Sequence, residues 1–320
     1  MARYEVLATL LLTILFRRSV AQLSPSFYNS SCPTVETVVT NTLQQAMQSD
    51  VRIAASLLRM HFHDCFVNGC DASSLLDDTA NFTGEKTAAP NNASLRGFDV
   101  IDQIKSQVDS VCNNTVSCAD ILAIAAKAAV VLSGGPSWTV QLGRRDSTTA
   151  NFSLAQANIP PPTSTNAQLI AAYQNVGLST LDMVVLSGAH TFGRARCTTF
   201  SNRLFNFSNG QPDPRINSTY LPTLQQICPN GGNGSVVANF DPVTQDTFDN
   251  QYYANVLNGQ VLLNSDAELL NGTTAALVSN FSTDQTSFFN NFAVSMVNMG
   301  NLQPLTGSQG EIRSNCRRTN

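Results

Sequence analysis

Apolar residues recur at intervals of three and four along most of this 320-residue chain, which is the spacing of one buried face of an α-helix. Runs rich in Pro, Gly and Asn at 134–136, 159–162 and 230–234 separate the periodic segments. The pattern predicts a mainly α protein. The predicted helices cover residues 35–47, 53–63, 98–111, 118–132, 165–176, 181–186 and 282–299.

The N-terminal segment has the pattern of a secretory signal peptide. Arg3 precedes an apolar run at 6–16 that is too short to span a bilayer, and residues 19–21 are small, as a signal peptidase requires. We therefore expect residues 1–21 to be removed and residues 22–320 to remain. The removal takes away three arginines and one glutamate, so the net charge of −4 becomes −6.

The acidic remainder contains no basic stripe, so we expect no nucleic-acid partner. No later segment is long and apolar enough to predict a membrane span. Eight cysteines form an even set that is typical of disulfides in a secreted chain, although their spacing leaves the pairing open. Sequons for N-glycosylation begin at Asn29, Asn81, Asn92, Asn113, Asn151, Asn206, Asn217, Asn233, Asn271 and Asn280.

Histidine is rare in this chain, which has only His61, His63 and His190. Arg59 precedes His63 by four residues, so a helix places both on one face. A permanent cation beside a base that titrates near neutral pH suits a reaction that moves a proton and stabilises the charge left behind. A structural histidine and a surface arginine are the alternatives that spacing alone leaves open.

Two motifs carry a resemblance to a known family. The sequence Arg-x-x-x-His-Asp-Cys at 59–65 and the sequence Gly-Ala-His-Thr-x-Gly at 188–193 resemble the distal and proximal motifs of secreted plant (class III) haem peroxidases. The resemblance extends from about residue 22 to the last cysteine. It implies a two-lobed, all-helical fold with minor short β strands and haem b between the distal and proximal halves. It also implies an enzyme that reduces hydrogen peroxide to water while it oxidises phenolic or other small donors in two one-electron steps.

The resemblance assigns roles to the distal residues. His63 matches the histidine that accepts a proton from peroxide and passes it to the oxygen that leaves as water. Arg59 matches the cation that stabilises charge on that oxygen. Asn91 matches the asparagine that accepts a hydrogen bond from the histidine, and Phe62 matches an aromatic residue that screens the iron-bound oxygen. Judged without the resemblance, Asn91 is a turn residue and Phe62 is a core aromatic.

Further roles follow on the proximal side. His190 matches the axial iron ligand, and Asp266 matches the carboxylate that accepts a hydrogen bond from the other nitrogen of that ligand. Pro160 matches a residue at the entrance for reducing substrates. His61 matches no catalytic position. It lies about 200° from His63 around a helix, so we expect it to be structural.

The resemblance implies two calcium ions, which prefer hard oxygen ligands on constrained loops. The distal ligands would be Asp64, Val67, Gly69, Asp71 and Ser73, with Val67 and Gly69 acting through their main-chain carbonyls. The proximal ligands would be Thr191, Asp241, Thr244, Thr247 and Asp249. Without the resemblance, each loop would be interpreted as a solvated turn.

The resemblance also implies a disulfide pairing: Cys32–Cys112, Cys65–Cys70, Cys118–Cys316 and Cys197–Cys228. Because the third pair would tie the middle of the chain to its end, we expect a single globular unit. We also expect a monomer. The chain ends at 316–320 without the hydrophobic extension expected of vacuolar relatives. We therefore expect secretion to the cell wall or the extracellular space rather than delivery to the vacuole.

Three positions leave the donor open. Ala89 and Thr199 stand where family members can have phenylalanine at the haem edge, and Arg96 suits either a substrate carboxylate or a loop contact. Two other classes of function compete. A zinc hydrolase could use His61 and His63, but both would face one way only on a strand. The second competing class is a disulfide-rich binding glycoprotein without haem. Of the three, only the peroxidase should show an intense Soret band.

Overall fold

The structure, a computed structural model, describes residues 22–80 and 82–320. The predicted signal peptide and the sequon at Asn81 lie outside the described residues. Within them the chain forms α-helices α1 to α13 and one antiparallel pair of short strands, so the predicted mainly α fold is confirmed.

The seven helices that the apolar periodicity predicts all occur. The helices are α1 (Val35–Ser49), α2 (Ile53–Cys65), α3 (Phe98–Cys112), α4 (Cys118–Leu132), α5 (Phe152–Asn158), α6 (Asn166–Asn175), α7 (Thr180–Ser187), α8 (Ser201–Phe205), α9 (Leu221–Ile227), α10 (Gln251–Leu257), α11 (Asn264–Ala267), α12 (Thr274–Thr283) and α13 (Gln285–Gly300). The strands β1 (Arg194–Arg196) and β2 (Val237–Asn239) pair with Arg194 opposite Asn239.

One predicted helix boundary is wrong. The apolar pattern over 282–299 predicts a single helix, whereas α12 ends at Thr283 and α13 begins at Gln285. Asp284 separates them with φ −129° and ψ 85°, and its side chain accepts a hydrogen bond from Ser287 N at 2.8 Å. Capping by this aspartate starts a new helix. Apolar periodicity continues across the break and therefore does not reveal it.

The main core is organised around α4, whose side chains are almost all buried. Its alanines are small, so α2 packs closely against it, and α1 and α3 complete this half of the molecule. Within the half, a buried ion pair between Arg144 and Asp120 (2.9 Å) links the loop after α4 to the start of that helix. A smaller separate cluster forms around β1, β2, α8 and α9, with Phe200 and Leu204 buried at its centre.

Four disulfides connect the described residues, and they are the same four pairs that the resemblance implies. The pair Cys118–Cys316 spans 198 residues and holds the C-terminal segment to the start of α4. The pair Cys65–Cys70 closes the loop that follows α2.

No single helix among the described residues is long and apolar enough to cross a membrane. The segments Asn166–Asn175 and Thr180–Thr191 satisfy the length and composition criteria only together, with a bend of 111° between them.

Candidate active site

One face of α2 carries Ala55, Arg59 and His63 at successive four-residue intervals. Ala55 packs against Gly193, where an added Cβ would lie 2.9 Å from the Ala55 methyl carbon. Gly193 also has φ +93°, a backbone conformation that favours glycine. The glycine therefore lets the segment that carries His190 approach the same helix that carries His63.

A hydrogen bond fixes the protonation of His63, which is only 2% exposed. Its Nδ1 lies 2.6 Å from Oδ1 of Asn91. The Asn91 amide nitrogen donates to the main-chain carbonyl of Glu85 (2.8 Å), so its oxygen must be the atom that faces His63. Nδ1 of His63 therefore carries the proton, and Nε2 keeps its lone pair.

The charge of Arg59 acts on the same histidine. Burial and the Arg59 charge hold the pKa of His63 well below 6.5, although the bond to Asn91 partly opposes them. Arg59 is partly exposed and donates to the Pro90 carbonyl at 3.0 Å. Burial lowers its pKa to about 10, so the guanidinium remains charged at neutral pH. The structure thus pairs a neutral base with a cation.

The neighbours of His63 in the sequence have different surroundings. The Phe62 ring meets the His63 ring edge-on, with 5.2 Å between centroids, and also contacts Phe66. His61 is buried beside the Cys65–Cys70 disulfide, 3.7 Å from Cys65 Sγ, and burial with the Arg144 charge lowers its pKa to about 3. His61, Cys65 and Cys70 lie close enough together to hold a metal ion, but both sulfurs are in a disulfide, so neither cysteine offers a thiolate.

The His190 side chain is held from two directions and remains 33% exposed. Its Nδ1 donates to Asp266 Oδ1 at 2.8 Å, and the Phe240 ring stacks on its ring at 4.2 Å with an interplanar angle of 3°. Tyr252 donates to the same Asp266 oxygen at 2.9 Å. Nε2 of His190 makes no hydrogen bond within the described residues.

The free Nε2 atoms of the two histidines fit a haem site. A metal-ligating histidine characteristically donates one ring nitrogen to a carboxylate and keeps the other for the metal, and His190 with Asp266 has that arrangement. His63 likewise keeps Nε2 free, with Arg59 next to it on the same helix face. One histidine is thus suited to bind iron, and the other is suited to handle protons.

The loop after α2 has the features of a cation site. Asp64 and Asp71 are buried there, and burial with the charge of Asp71 raises the pKa of Asp64 from 3.8 to about 7. The buried Ser73 Oγ and Glu85 Oε2 have no hydrogen-bond partner among the described residues. Unpartnered oxygens beside paired carboxylates fit a calcium ion, which would balance their charge.

Gly69 and Val67 complete the predicted distal set. Gly69 has φ +97°, and an added Cβ would lie 2.6 Å from the carbonyl oxygens of Leu302 and Gln303. Only glycine fits this close approach. Val67 is buried just beyond α2, and its N–H bonds to the Asp64 carbonyl at 3.2 Å. The loop is therefore held tightly at the place where two main-chain ligands are predicted.

The predicted proximal ligands form two hydrogen-bonded groups. Thr191 Oγ1 donates to Asp249 at 2.9 Å, and Thr244 Oγ1 donates to Asp241 at 3.1 Å. Thr247 N donates to the Thr244 carbonyl at 3.0 Å. Thr191 and Asp241 are fully buried, so this cluster of oxygens also fits a hard cation.

The predicted entrance residues lie on separate loops. Pro160 is half-buried two residues after the end of α5. Its proline-rich loop is tied to the Asp266 segment because Ser265 N donates to the Pro162 carbonyl at 3.0 Å. Ala89 N donates to the side-chain oxygen of Gln156 in α5.

The remaining two of these positions make local contacts. Thr199 Oγ1 donates to the carbonyl of Arg196 at 2.6 Å. Arg96 forms an ion pair with Asp50 and donates to Ser56 Oγ at 3.3 Å, so in this structure it joins a loop to the start of α2.

Sequence reasoning missed three residues that contact the site: Glu85, Phe240 and Tyr252. Glu85 binds Asn91 through its carbonyl and places a buried carboxyl near Asp64. Phe240 directly precedes the predicted ligand Asp241, which is the only local signal for it. Tyr252 carries no local signal, since it reaches Asp266 only through the packing of α10 against the following segments.

Comparisons with known proteins show which family this chain belongs to. A family model described as Peroxidase matches residues 39–284. Peroxidase 15 of Ipomoea batatas is 55% identical over 327 residues, covering 100% of both chains. Two relatives from Arabidopsis thaliana are similar over almost the same length. Peroxidase 54 is 52% identical over 310 residues (96% of this chain and 87% of the relative), and peroxidase 22 is 53% identical over 307 residues (94% and 88%).

The fold and these matches define the class of protein as a haem peroxidase, an enzyme that uses hydrogen peroxide to oxidise donor molecules. More narrowly, the chain belongs to the plant (class III) peroxidase family. Members of this family contain haem and typically calcium, and they are typically secreted.

Proposed function

We propose that His63, Arg59 and Asn91 carry out the proton chemistry of peroxide reduction. The observation that carries this assignment is the buried His63–Asn91 hydrogen bond, because it leaves an unprotonated Nε2 on the face of α2 that Arg59 shares. Nε2 accepts the proton of hydrogen peroxide and returns it to the oxygen that leaves as water. Arg59 stabilises negative charge on that oxygen, and it does so strongly because it is partly buried.

On the proximal side, His190 would bind the iron of haem b through Nε2. Haem, when bound, would supply a redox-active iron for peroxide reduction and for one-electron oxidation of donors. Asp266 accepts a hydrogen bond from Nδ1–H of His190, which orients the ring and increases electron donation from Nε2. Phe240 stacks on the ring and prevents its rotation.

Two calcium ions hold these residues in place. The distal ion is bound by Asp64, Val67, Gly69, Asp71 and Ser73, and the proximal ion by Thr191, Asp241, Thr244, Thr247 and Asp249. Asp64 follows His63 and Thr191 follows His190, so each ion constrains a histidine through one peptide unit. The orphaned Ser73 Oγ and the raised pKa of Asp64 support the distal assignment.

The donors are small phenols that approach near Pro160 and give up one electron at a time. Ala89 and Thr199 stand where family members can have phenylalanine, so the preferred phenol stays open. Residues 1–21 direct secretion to the cell wall or extracellular space, and residues 22–320 form one monomeric peroxidase domain.

A visible spectrum tests the proposal directly. The purified protein should show an intense Soret band and should oxidise a simple phenol such as guaiacol only when peroxide is added. A protein that has no Soret band, even after reconstitution with haem, would instead support the binding-glycoprotein alternative. Zinc bound in stoichiometric amount, together with hydrolase activity, would support the zinc-hydrolase alternative.

A further inference from the structure

Tyr252 shares an acceptor atom with His190. Its hydroxyl lies 2.9 Å from Asp266 Oδ1, and Nδ1 of His190 lies 2.8 Å from the same oxygen. The other carboxylate oxygen, Oδ2, is buried and has no hydrogen-bond partner among the described residues. Two donors therefore compete for the electron density of one oxygen.

The Tyr252 hydroxyl can only be a donor in this contact. Asp266 accepts, and burial together with the Asp266 charge raises the pKa of Tyr252 well above 10, so the phenol keeps its proton. Such a charge-assisted bond withdraws electron density from the carboxylate. The carboxylate then accepts less strongly from His190, whose ring retains more of its own Nδ1 proton.

We propose that Tyr252 is a positioning residue that limits electron donation from His190 to the iron through its hydrogen bond to Asp266. This inference rests on the proposed role of His190 as the axial ligand and deepens it. Asp266 alone would push His190 towards imidazolate, which favours Fe(III) over Fe(II) and strengthens the bond from Nε2. Tyr252 moderates both effects and raises the reduction potential.

The chain contains a matched control in the next residue. Tyr253 is also a fully buried tyrosine of α10, but its hydroxyl donates to the carbonyls of Val184 and Val185 at 3.1 and 3.3 Å and does not contact Asp266. Arg203 also interacts electrostatically with Asp266, but it pairs with Asp213 at 2.8 Å. The Arg203 charge stays in place in both Tyr252→Phe and Tyr253→Phe.

The test compares Tyr252→Phe with Tyr253→Phe in haem-loaded protein at pH 7. Tyr252→Phe should raise the Fe(II)–His stretching frequency in resonance Raman spectra. It should also shift the Fe(III)/Fe(II) equilibrium towards Fe(III) by about tenfold, the lower end for an outer partner of a metal ligand, or about 59 mV for one electron. Tyr253→Phe should change neither quantity. An unchanged frequency and potential in Tyr252→Phe, a shift of opposite sign, or equal shifts in both variants would overturn the proposal.

A second replacement covers the case in which Tyr252→Phe does not fold. Incorporation of 3-fluorotyrosine at position 252 keeps the ring and hydroxyl but makes the hydroxyl a stronger donor. The frequency should then fall and the potential should rise, and no change would overturn the proposal. Neither result bears on the axial ligand itself, because His190→Ala tests that assignment separately by the loss of histidine ligation.

Discussion

Asn91 Oδ1 accepts a hydrogen bond from Nδ1–H of His63 across 2.6 Å, so a loop residue 28 positions away decides which nitrogen of the buried histidine is basic. The Asn91 amide is itself fixed by the Glu85 carbonyl, and Glu85 lies next to the carboxylates of the predicted calcium loop. The segment from Glu85 to Asn91 therefore links the proton chemistry of His63 to the predicted cation site.

Replacing His63 with alanine should slow the reaction with peroxide by at least about 100-fold, the lower range for general acid–base catalysis. The reason is that no other side chain on this face of α2 can accept the proton. Stopped-flow mixing with peroxide measures the rate, and an unchanged Soret band shows that haem is still bound. A wild-type rate in haem-loaded His63→Ala would contradict the assignment.

Replacing Asn91 with leucine should slow the same step by about 10- to 100-fold, since a histidine loses the partner that orients it. The hydrogen bond raises the pKa of His63, so its removal should move the acid limb of the pH–rate profile to lower pH. Asn92→Ala is the control, because Asn92 is exposed and its side chain has no contact with His63. Equal effects in both variants would argue against a specific role of Asn91.

Replacing Arg59 with leucine should slow peroxide cleavage by about 100- to 1,000-fold, as the loss of a transition-state charge stabiliser does. It should also weaken the binding of anionic ligands such as cyanide. The Arg59 charge lowers the pKa of His63, so the acid limb should move to higher pH, opposite to the shift in Asn91→Leu. Arg96→Leu removes an arginine paired with Asp50 and should leave the profile unchanged. An acid limb that stays in place would contradict the pairing of Arg59 with His63.

Replacing His190 with alanine should abolish the five-coordinate histidine-ligated spectrum, because Nε2 is the proposed iron ligand. Added imidazole should restore part of the spectrum, although not the hydrogen bond geometry that Asp266 provides. Absorption and resonance Raman spectra measure both effects. A normal spectrum without imidazole would show that another residue binds the iron.

Chelation of calcium should lower the melting temperature and reduce turnover. An ion present at about 100 times its Kd stabilises the folded chain by about 2.7 kcal/mol. Asp71→Ala should reproduce the distal half of the effect and Asp249→Ala the proximal half, whereas Asp102→Ala, in a surface pair with Arg317, should have little effect. Fully active protein that contains no calcium would contradict this coupling.

The calcium effect should also depend on pH. Burial and Asp71 raise the pKa of Asp64 from 3.8 to about 7, so without the ion the folded chain loses stability as pH rises from about 4 to 7. Calcium compensates the charge that develops. The difference in melting temperature between loaded and chelated protein should therefore increase across this range and then level off. A difference that is largest at pH 4 would be inconsistent with carboxylate ligands.

The sequence by itself predicted most of the longer helices, but not the short helices α5 and α8 to α11. Apolar periodicity located the helices that carry Arg59 and His63, because burying one face of a helix requires that spacing whatever the partner is. Two short motifs identified the histidines and the family. Periodicity could not reveal the break at Asp284, since the apolar spacing runs through it and only the cap differs.

Only the tertiary structure decided how distant residues act together. Asp266 lies 76 positions from His190. His190 and Tyr252 both donate to Oδ1 of Asp266 because the packing of three separate segments brings them together. The low pKa of His63 likewise depends first on burial, which the four-residue spacing to Arg59 does not encode. Hydrogen bonds and charges act through space, so a chain reveals which groups it has, while the fold decides which atom each group reaches.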